Sequence, residues 1–310
     1  MTRLTHPKNT AFAQNLDQAH TRAGGRHDDN PMQRAQAIEN SRGYIMLACV
    51  SILFIAFGLT QASVPAILAG FSRIIFSTNI LITDYVALGG AGTAFVNAGL
   101  LMLASVALLM LNAASFRGIS VAAVFLMGSF GLFGKNVYNV WPILFGTWLY
   151  ARLKKEPFSE HVYTALFATC LAPIVTEFAF VLHLPAFTGA LLGILVGICV
   201  GLVTPPLAGH LKNVHKGFSL YNIGFTAGII GTVFVSLLKS YGYQTGFNMI
   251  WSDGNDALFG AFLCLLFLFF LVLGFWMNPH PLGALRTIFR ESGQSGTDFV
   301  ALCGLGPALI

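Results

Sequence analysis

Polar and apolar positions along this chain separate into long blocks. Residues 1–43 are polar, rich in Asn, Gln, Arg and Asp, and show no apolar recurrence at helical spacing. They predict a disordered tail. From residue 44 onward, long apolar runs are broken by short polar links. A membrane-crossing helix needs about 20 mostly apolar residues. The runs 44–70, 85–111, 161–182, 185–203, 218–238 and 257–276 qualify. Run 161–182 contains Pro173 and Glu177, and run 185–203 is expected to end at Pro205-Pro206. Runs 119–133 and 141–150 are short and flank Gly134-Lys135-Asn136-Val137-Tyr138-Asn139. A last apolar run starts at 299 and is too short to cross. The pattern predicts an all-α, polytopic helical membrane protein, with a tail (1–43), a membrane domain (44–298) and a final segment (299–310).

Composition agrees. Hydrophobic residues make up 55% and charged residues 9% of the chain, against roughly 25% charged in a soluble domain. That little charge cannot cover a soluble surface, which excludes an ordinary cytosolic enzyme and makes the lipid bilayer the first partner. The formal charge of +5 is divided between tail and loops without a polybasic cluster, so no nucleic-acid partner is expected. The five cysteines lie in apolar runs and form no CxxC pair; neither a disulfide framework nor a metal site is expected, and no cofactor is. No HExxH, GxSxG or P-loop motif occurs.

Placement of charge sets the expected topology. Arg117, Arg152, Lys154, Lys155, Lys212, Lys216, Arg286 and Arg290 cluster in some links, whereas 183–185 and 241–256 hold no Lys or Arg. If 119–151 enters the membrane, bends near Lys135–Asn139 and returns, every strong basic cluster falls on one side. Arg73 and Lys239 are the exceptions. This predicts a re-entrant pair, a cytoplasmic N-terminus and a location in the inner cell membrane.

A repeat lies within the pattern. Thr83-Asp84-Tyr85-Val86-Ala87-Leu88 recurs as Thr297-Asp298-Phe299-Val300-Ala301-Leu302, and 8 of 14 positions match at an offset of 214. Upstream, Arg73-Ile74-Ile75-Phe76 resembles Arg286-Thr287-Ile288-Phe289 one residue out of register. The repeated unit runs from about residue 73, and the second copy is expected to be truncated. Five full spans between the copies predict inverted orientation.

The interrupted segment is the first candidate site. Lys135, Asn136, Tyr138 and Asn139 bring a charge, two amides and non-helical backbone to membrane depth, where such backbone needs protein or a wet cavity around it. An ordinary loop between two short spans is the alternative. Gly217, Tyr221 and Asn222 repeat the spacing of Gly134, Tyr138 and Asn139, as a second lining helix or as close helix packing. Glu177, four residues after Pro173, is a costly intramembrane carboxylate with Lys135 as an expected partner. Asp84 and Asp298 are expected to cap their helices.

Pro205-Pro206-Leu207-Ala208, His215-Lys216-Gly217-Phe218 and Leu220-Tyr221-Asn222-Ile223-Gly224-Phe225-Thr226-Ala227-Gly228 resemble a bacterial membrane family, domain of unknown function 1576. The resemblance covers roughly 44–310 and implies a bacterial integral membrane protein with a duplicated unit, but no activity. The architecture is also similar to that of urea channels, by analogy alone. These readings lead to a transporter or channel for a small polar solute, with homo-oligomers allowed. The alternatives are a membrane-embedded enzyme using Glu177 and His183, and a structural protein without a pore.

Overall fold

The computed structural model describes residues 31–78, 83–180, 182, 184–216, 222–243, 250–277, 281–291 and 297–309. The chain divides into two compact units, Met1–Arg42 and Gly43–Ile310. The first described helix, α1 (Pro31–Gln61), starts well inside the segment expected to be tail. Gln33, Arg34, Ala35, Gln36 and Ala37 are good helix formers, so a helix nucleated by the apolar run can propagate outward through them.

Several apolar runs are divided where backbone chemistry intervenes. Run 44–70 breaks after α1 at Ser63, which is extended (φ −67°, ψ 152°), and restarts as α2 (Val64–Ile75) with Pro65 in the first turn. Run 85–111 becomes α3 (Tyr85–Gly89) and α4 (Ala91–Leu111), separated by Gly90 at φ 89°. The interrupted run forms α5 (Gly118–Gly131) and α6 (Val140–Lys154). Run 161–182 becomes α7 (Val162–Ala168), a 3₁₀ turn (Thr169–Leu171) and α8 (Pro173–Phe180), bent by 45°.

Pro205-Pro206 does not end the next helix: α9 runs through both, from Ala186 to His215. Pro205 has no N–H to offer the carbonyl of Gly201 four residues back, and Thr147 Oγ1 of α6 donates to that oxygen instead at 3.1 Å. The chain continues as α10 (Asn222–Ser240), α11 (Asp256–Met277), α12 (Pro281–Ile288), α13 (Phe299–Cys303) and α14 (Leu305–Leu309).

Among the described residues five helices are long and apolar enough to cross a membrane: Ala37–Gln61 within α1, then α4, α9, α10 and α11. The bent pair α7–α8 makes a sixth if it is one span. This is an integral, multi-pass, all-α membrane protein. Only 17% of the α11 span is buried, which leaves most of its apolar surface open outside the bundle.

Cross-helix contacts fix directions. Gly128 of α5 meets Met102 of α4, and Gly131 meets Ala98, so α4 and α5 are antiparallel. Gly197 of α9 meets Pro142 of α6, and Gly201 meets Thr147, so α6 and α9 are parallel. The Tyr163 hydroxyl near the start of α7 donates to Ser115 O at 3.2 Å and lies 2.8 Å from Ser120 Oγ near the start of α5. The links before α5 and after α6 therefore share one end of the bundle, and α5 and α6 form a hairpin that leaves and returns to that end.

The two Thr-Asp segments adopt matching local backbones. Asp84 caps α3 by accepting from Val86 N at 2.7 Å, and Gly90 closes the turn at φ 89°. Asp298 caps α13 by accepting from Val300 N at 3.0 Å, and Gly304 closes it at φ 83°. Both caps are where the sequence places them. Asp298 also accepts from Gly118 N at the start of α5 (3.1 and 3.3 Å). Asp84 instead pairs, in antiparallel sense, with Phe133 just past the end of α5. The two aspartates therefore stand at opposite ends of one helix.

Candidate functional site

The hairpin turn at 132–139 is non-helical backbone surrounded by protein. Every backbone polar group there needs a partner at this depth. Part of the need is met by the segment before α3: Tyr85 N donates to Leu132 O at 3.1 Å, and Gly134 N to Thr83 O at 3.3 Å. Leu132 N, Phe133 N and Lys135 N bond back to the last turn of α5, at Ser129 O and Phe130 O, and asparagines meet much of the remainder. Asn136 Oδ1 accepts from Tyr138 N (3.0 Å) and Asn139 N (2.9 Å), while Asn139 Oδ1 accepts from Asn136 N at 2.9 Å. Asn139 Nδ2 donates to Gly134 O at 2.8 Å, and Asn136 Nδ2 to the Tyr85 hydroxyl at 3.2 Å. These carboxamides substitute for the missing helical bonds between α5 and α6.

A third asparagine, which sequence reasoning missed, clasps the turn from outside. Asn97 on α4 donates through Nδ2 to Gly131 O (2.6 Å) and Lys135 O (2.8 Å), and accepts from Val137 N at 3.2 Å. It is fully buried, as is Tyr85. A signal for Asn97 existed, since one carboxamide stands within the apolar run of α4. Intramembrane polar side chains are rare enough to warrant a partner search.

Lys135 is 1% exposed. Its amine lies 3.7 Å from Met127 Sδ and 5.0 Å from the centre of the Phe130 ring. Met127 Sδ also receives Thr169 Oγ1 at 3.1 Å. Among the described residues no carboxylate lies within 4 Å of the Lys135 amine, so the expected pairing with Glu177 is absent. The reason is helix phase. Val175 and Ala179 of α8 pack on Gly193 and Gly189 of α9, and Glu177, two residues from each, points to the opposite side of a 3.6-residue helix. Glu177 is half-buried there.

The other candidates divide similarly. The Tyr138 hydroxyl reaches Ala190 O near the start of α9 at 3.3 Å. Asn222 Oδ1 lies 2.7 Å from His215 Nε2, and Asn222 Nδ2 donates to Ala208 O at 3.1 Å. Ala190 and Ala208 are separated along α9 by about 27 Å at 1.5 Å per residue, so Asn222 belongs to the α9–α10 junction. Tyr221 and His183 lie outside the described residues. The structure thus brings Lys135, Asn136, Tyr138 and Asn139 together and leaves Glu177 and Asn222 elsewhere.

The turn is rich in donors. Its carboxamide oxygens are occupied by backbone N–H groups, and Asn139 Nδ2 faces the Tyr85 hydroxyl as well as Gly134 O, whereas Asn136 keeps a second N–H on Nδ2, and Lys135 adds an amine. Residues 63–240, which take in the turn, the bent span and all of α10, match a family model described as Protein of unknown function (DUF1576). Comparison with curated proteins and with solved structures gives no match.

Proposed function

We propose that this chain, which belongs to the DUF1576 family, moves a small polar solute across the membrane at the turn between α5 and α6. The observation that supports the reading is the Lys135 amine, buried beside non-helical backbone with no carboxylate of the described residues within 4 Å. Burying such a group is costly, and a sulfur and a ring face return only part of the cost. Spare donors at Lys135 and Asn136 match a solute bearing oxygen acceptors. The positive-inside rule assigns the shared end of Arg117 and Arg152–Lys155 to the cytoplasm, in the inner membrane of a bacterium. The matching Thr-Asp turns support a duplicated, inverted architecture of the kind transporters use. A pore-free structural protein is the second reading, favoured by the carboxamide oxygens being occupied within the turn. A membrane-embedded enzyme using Glu177 and His183 is the remaining alternative.

Uptake by proteoliposomes separates these readings. Osmotic reswelling with urea, acetamide and formate is expected to accelerate when the protein is present. Lys135→Met is expected to slow it about tenfold, the effect of roughly 1.4 kcal/mol in one interaction. No flux for any polar solute favours the structural reading. Unchanged flux in Lys135→Met and Asn139→Ala rejects this site.

A further inference from the structure

A separate cavity lies beside the turn, at the end of the bundle opposite Arg117. Its volume is about 290 Å³, at the lower edge of small-molecule sites. Its wall is aromatic: Phe54, Phe95, Phe133, Trp251, Phe259 and Phe262. These rings are not a flat stack. Phe262 stands at 88° to Phe54 and 80° to Phe95, with centres 5.0 Å apart in both pairs. A wall of rings at right angles offers π faces as well as edges.

Two carboxylates complete the lining, Asp84 in the interior and Asp256 at the exposed first turn of α11. Asp84 is 5% exposed. Its Oδ1 caps α3, and its Oδ2 accepts from Ser252 N (2.8 Å) and Ser252 Oγ (2.6 Å). All three donors are neutral, so the negative charge is solvated but not balanced. Among the described residues no Lys, Arg or His lines the cavity. Arg73, the basic residue nearest in sequence, donates instead to Leu88 O and Gly89 O. Capping alone does not call for a charge, since Ser, Thr or Asn serve as well at an N-cap. A buried carboxylate with no cation within 4 Å among the described residues, lining one cavity with several aromatic rings, is the chemistry that recognises a soft, weakly hydrated cation.

We infer that this cavity binds an organic ammonium group, of the quaternary type that choline carries, with Asp84 and the rings of Phe95, Phe259 and Phe262 as its principal contacts and Asp256 drawing the cation to the mouth. An inorganic cation fits less well, because only one buried carboxylate and few neutral oxygens are present to replace its hydration shell. The inference does not rest on the proposed transport at Lys135, and binding can be read without flux.

The test uses the full chain in detergent or nanodiscs and equilibrium dialysis of radiolabelled choline. Saturable binding is expected, with tetramethylammonium competing. The neutral isostere 3,3-dimethyl-1-butanol, which has the same shape without the charge, is expected to compete at least about tenfold less well. Asp84→Asn keeps the cap and the size of the side chain and should weaken choline about tenfold, and Asp256→Asn by about twofold to threefold. Equal competition by the neutral isostere, absence of saturable choline binding, or full affinity in a folded Asp84→Asn variant overturns the inference. The isostere comparison needs no variant, so it decides even if Asp84→Asn fails to fold. Choline binding with no solute flux would leave this inference standing and reject the transport reading; flux without choline binding would do the reverse.

Discussion

Two buried side chains at the turn make opposite stability predictions. Asn97 holds three backbone groups of the turn: Gly131 O, Lys135 O and Val137 N. Leucine would fit the apolar surroundings of α4, so hydrophobicity alone favours the change. Stranding several buried polar groups costs about 1–3 kcal/mol each, which outweighs the gain. Asn97→Leu is therefore expected to lower the unfolding free energy by about 3 kcal/mol or more, read from the midpoint of denaturant unfolding in detergent. Lys135 differs, because its amine contacts a sulfur and a ring and, among the described residues, no carboxylate. Lys135→Met strands no charge, and replacing a buried ion by an apolar chain is often neutral or stabilising. Its melting temperature is expected to stay level or rise. A clear drop would reveal a structural role for the amine and undercut the functional reading.

At the scale of the helix, the α6–α9 contact depends on Gly201. A Cβ there would overlap Ile143 O and crowd Thr147 N and the Cα of Gly146. Gly201→Ala would separate the helices and disturb the Thr147 bond that accommodates Pro205, so a loss of about 2 kcal/mol is expected. Gly209, eight residues along the same helix, has open space where a Cβ would stand, with nothing within 4 Å, and Gly209→Ala should be neutral or gain up to about 1 kcal/mol. Parallel thermal melts of the two variants check the pair, and equal effects would reject the close-packing account. The same contact shows what the sequence made legible. Apolar run length located every long span, because the cost of exposing the backbone to lipid is local and leaves its mark in composition. The N-caps at Asp84 and Asp298 were equally legible, being set by neighbours two or three residues away. The fate of Pro205-Pro206 was not, because it depends on Thr147, a residue far off in the chain. Nor was Glu177's direction, which follows from which face of α8 meets α9. The turn itself was visible as an interruption. Its Asn97 clasp was not, since the partner groups lie more than thirty positions away.

For the whole molecule the decisive property is the number of crossings between the two Thr-Asp segments. If α5 and α6 form a hairpin within the membrane, five spans separate the segments: α4, the bent pair α7–α8, α9, α10 and α11. An odd number gives them opposite orientations. If α5 and α6 together cross once, the number is even and the segments run in the same direction. The side chains already favour the first, since Tyr163 ties the start of α7 to the start of α5 and the two aspartates sit at opposite ends of α5. Single cysteines in a background stripped of Cys49, Cys170, Cys199, Cys264 and Cys303 can test this with a membrane-impermeant maleimide. Arg117→Cys, Lys154→Cys and Lys212→Cys occupy exposed positions and are expected to react only in inverted vesicles. Asp253→Cys, also exposed, is expected to react only in right-side-out ones. The positions 117 and 154 carry the argument, because they bracket the hairpin. Labelling of 117 and 154 from opposite faces would make α5–α6 a crossing and remove the inverted architecture, whereas labelling of both from the face of 212 would leave the odd count as the sole arrangement consistent with the bundle.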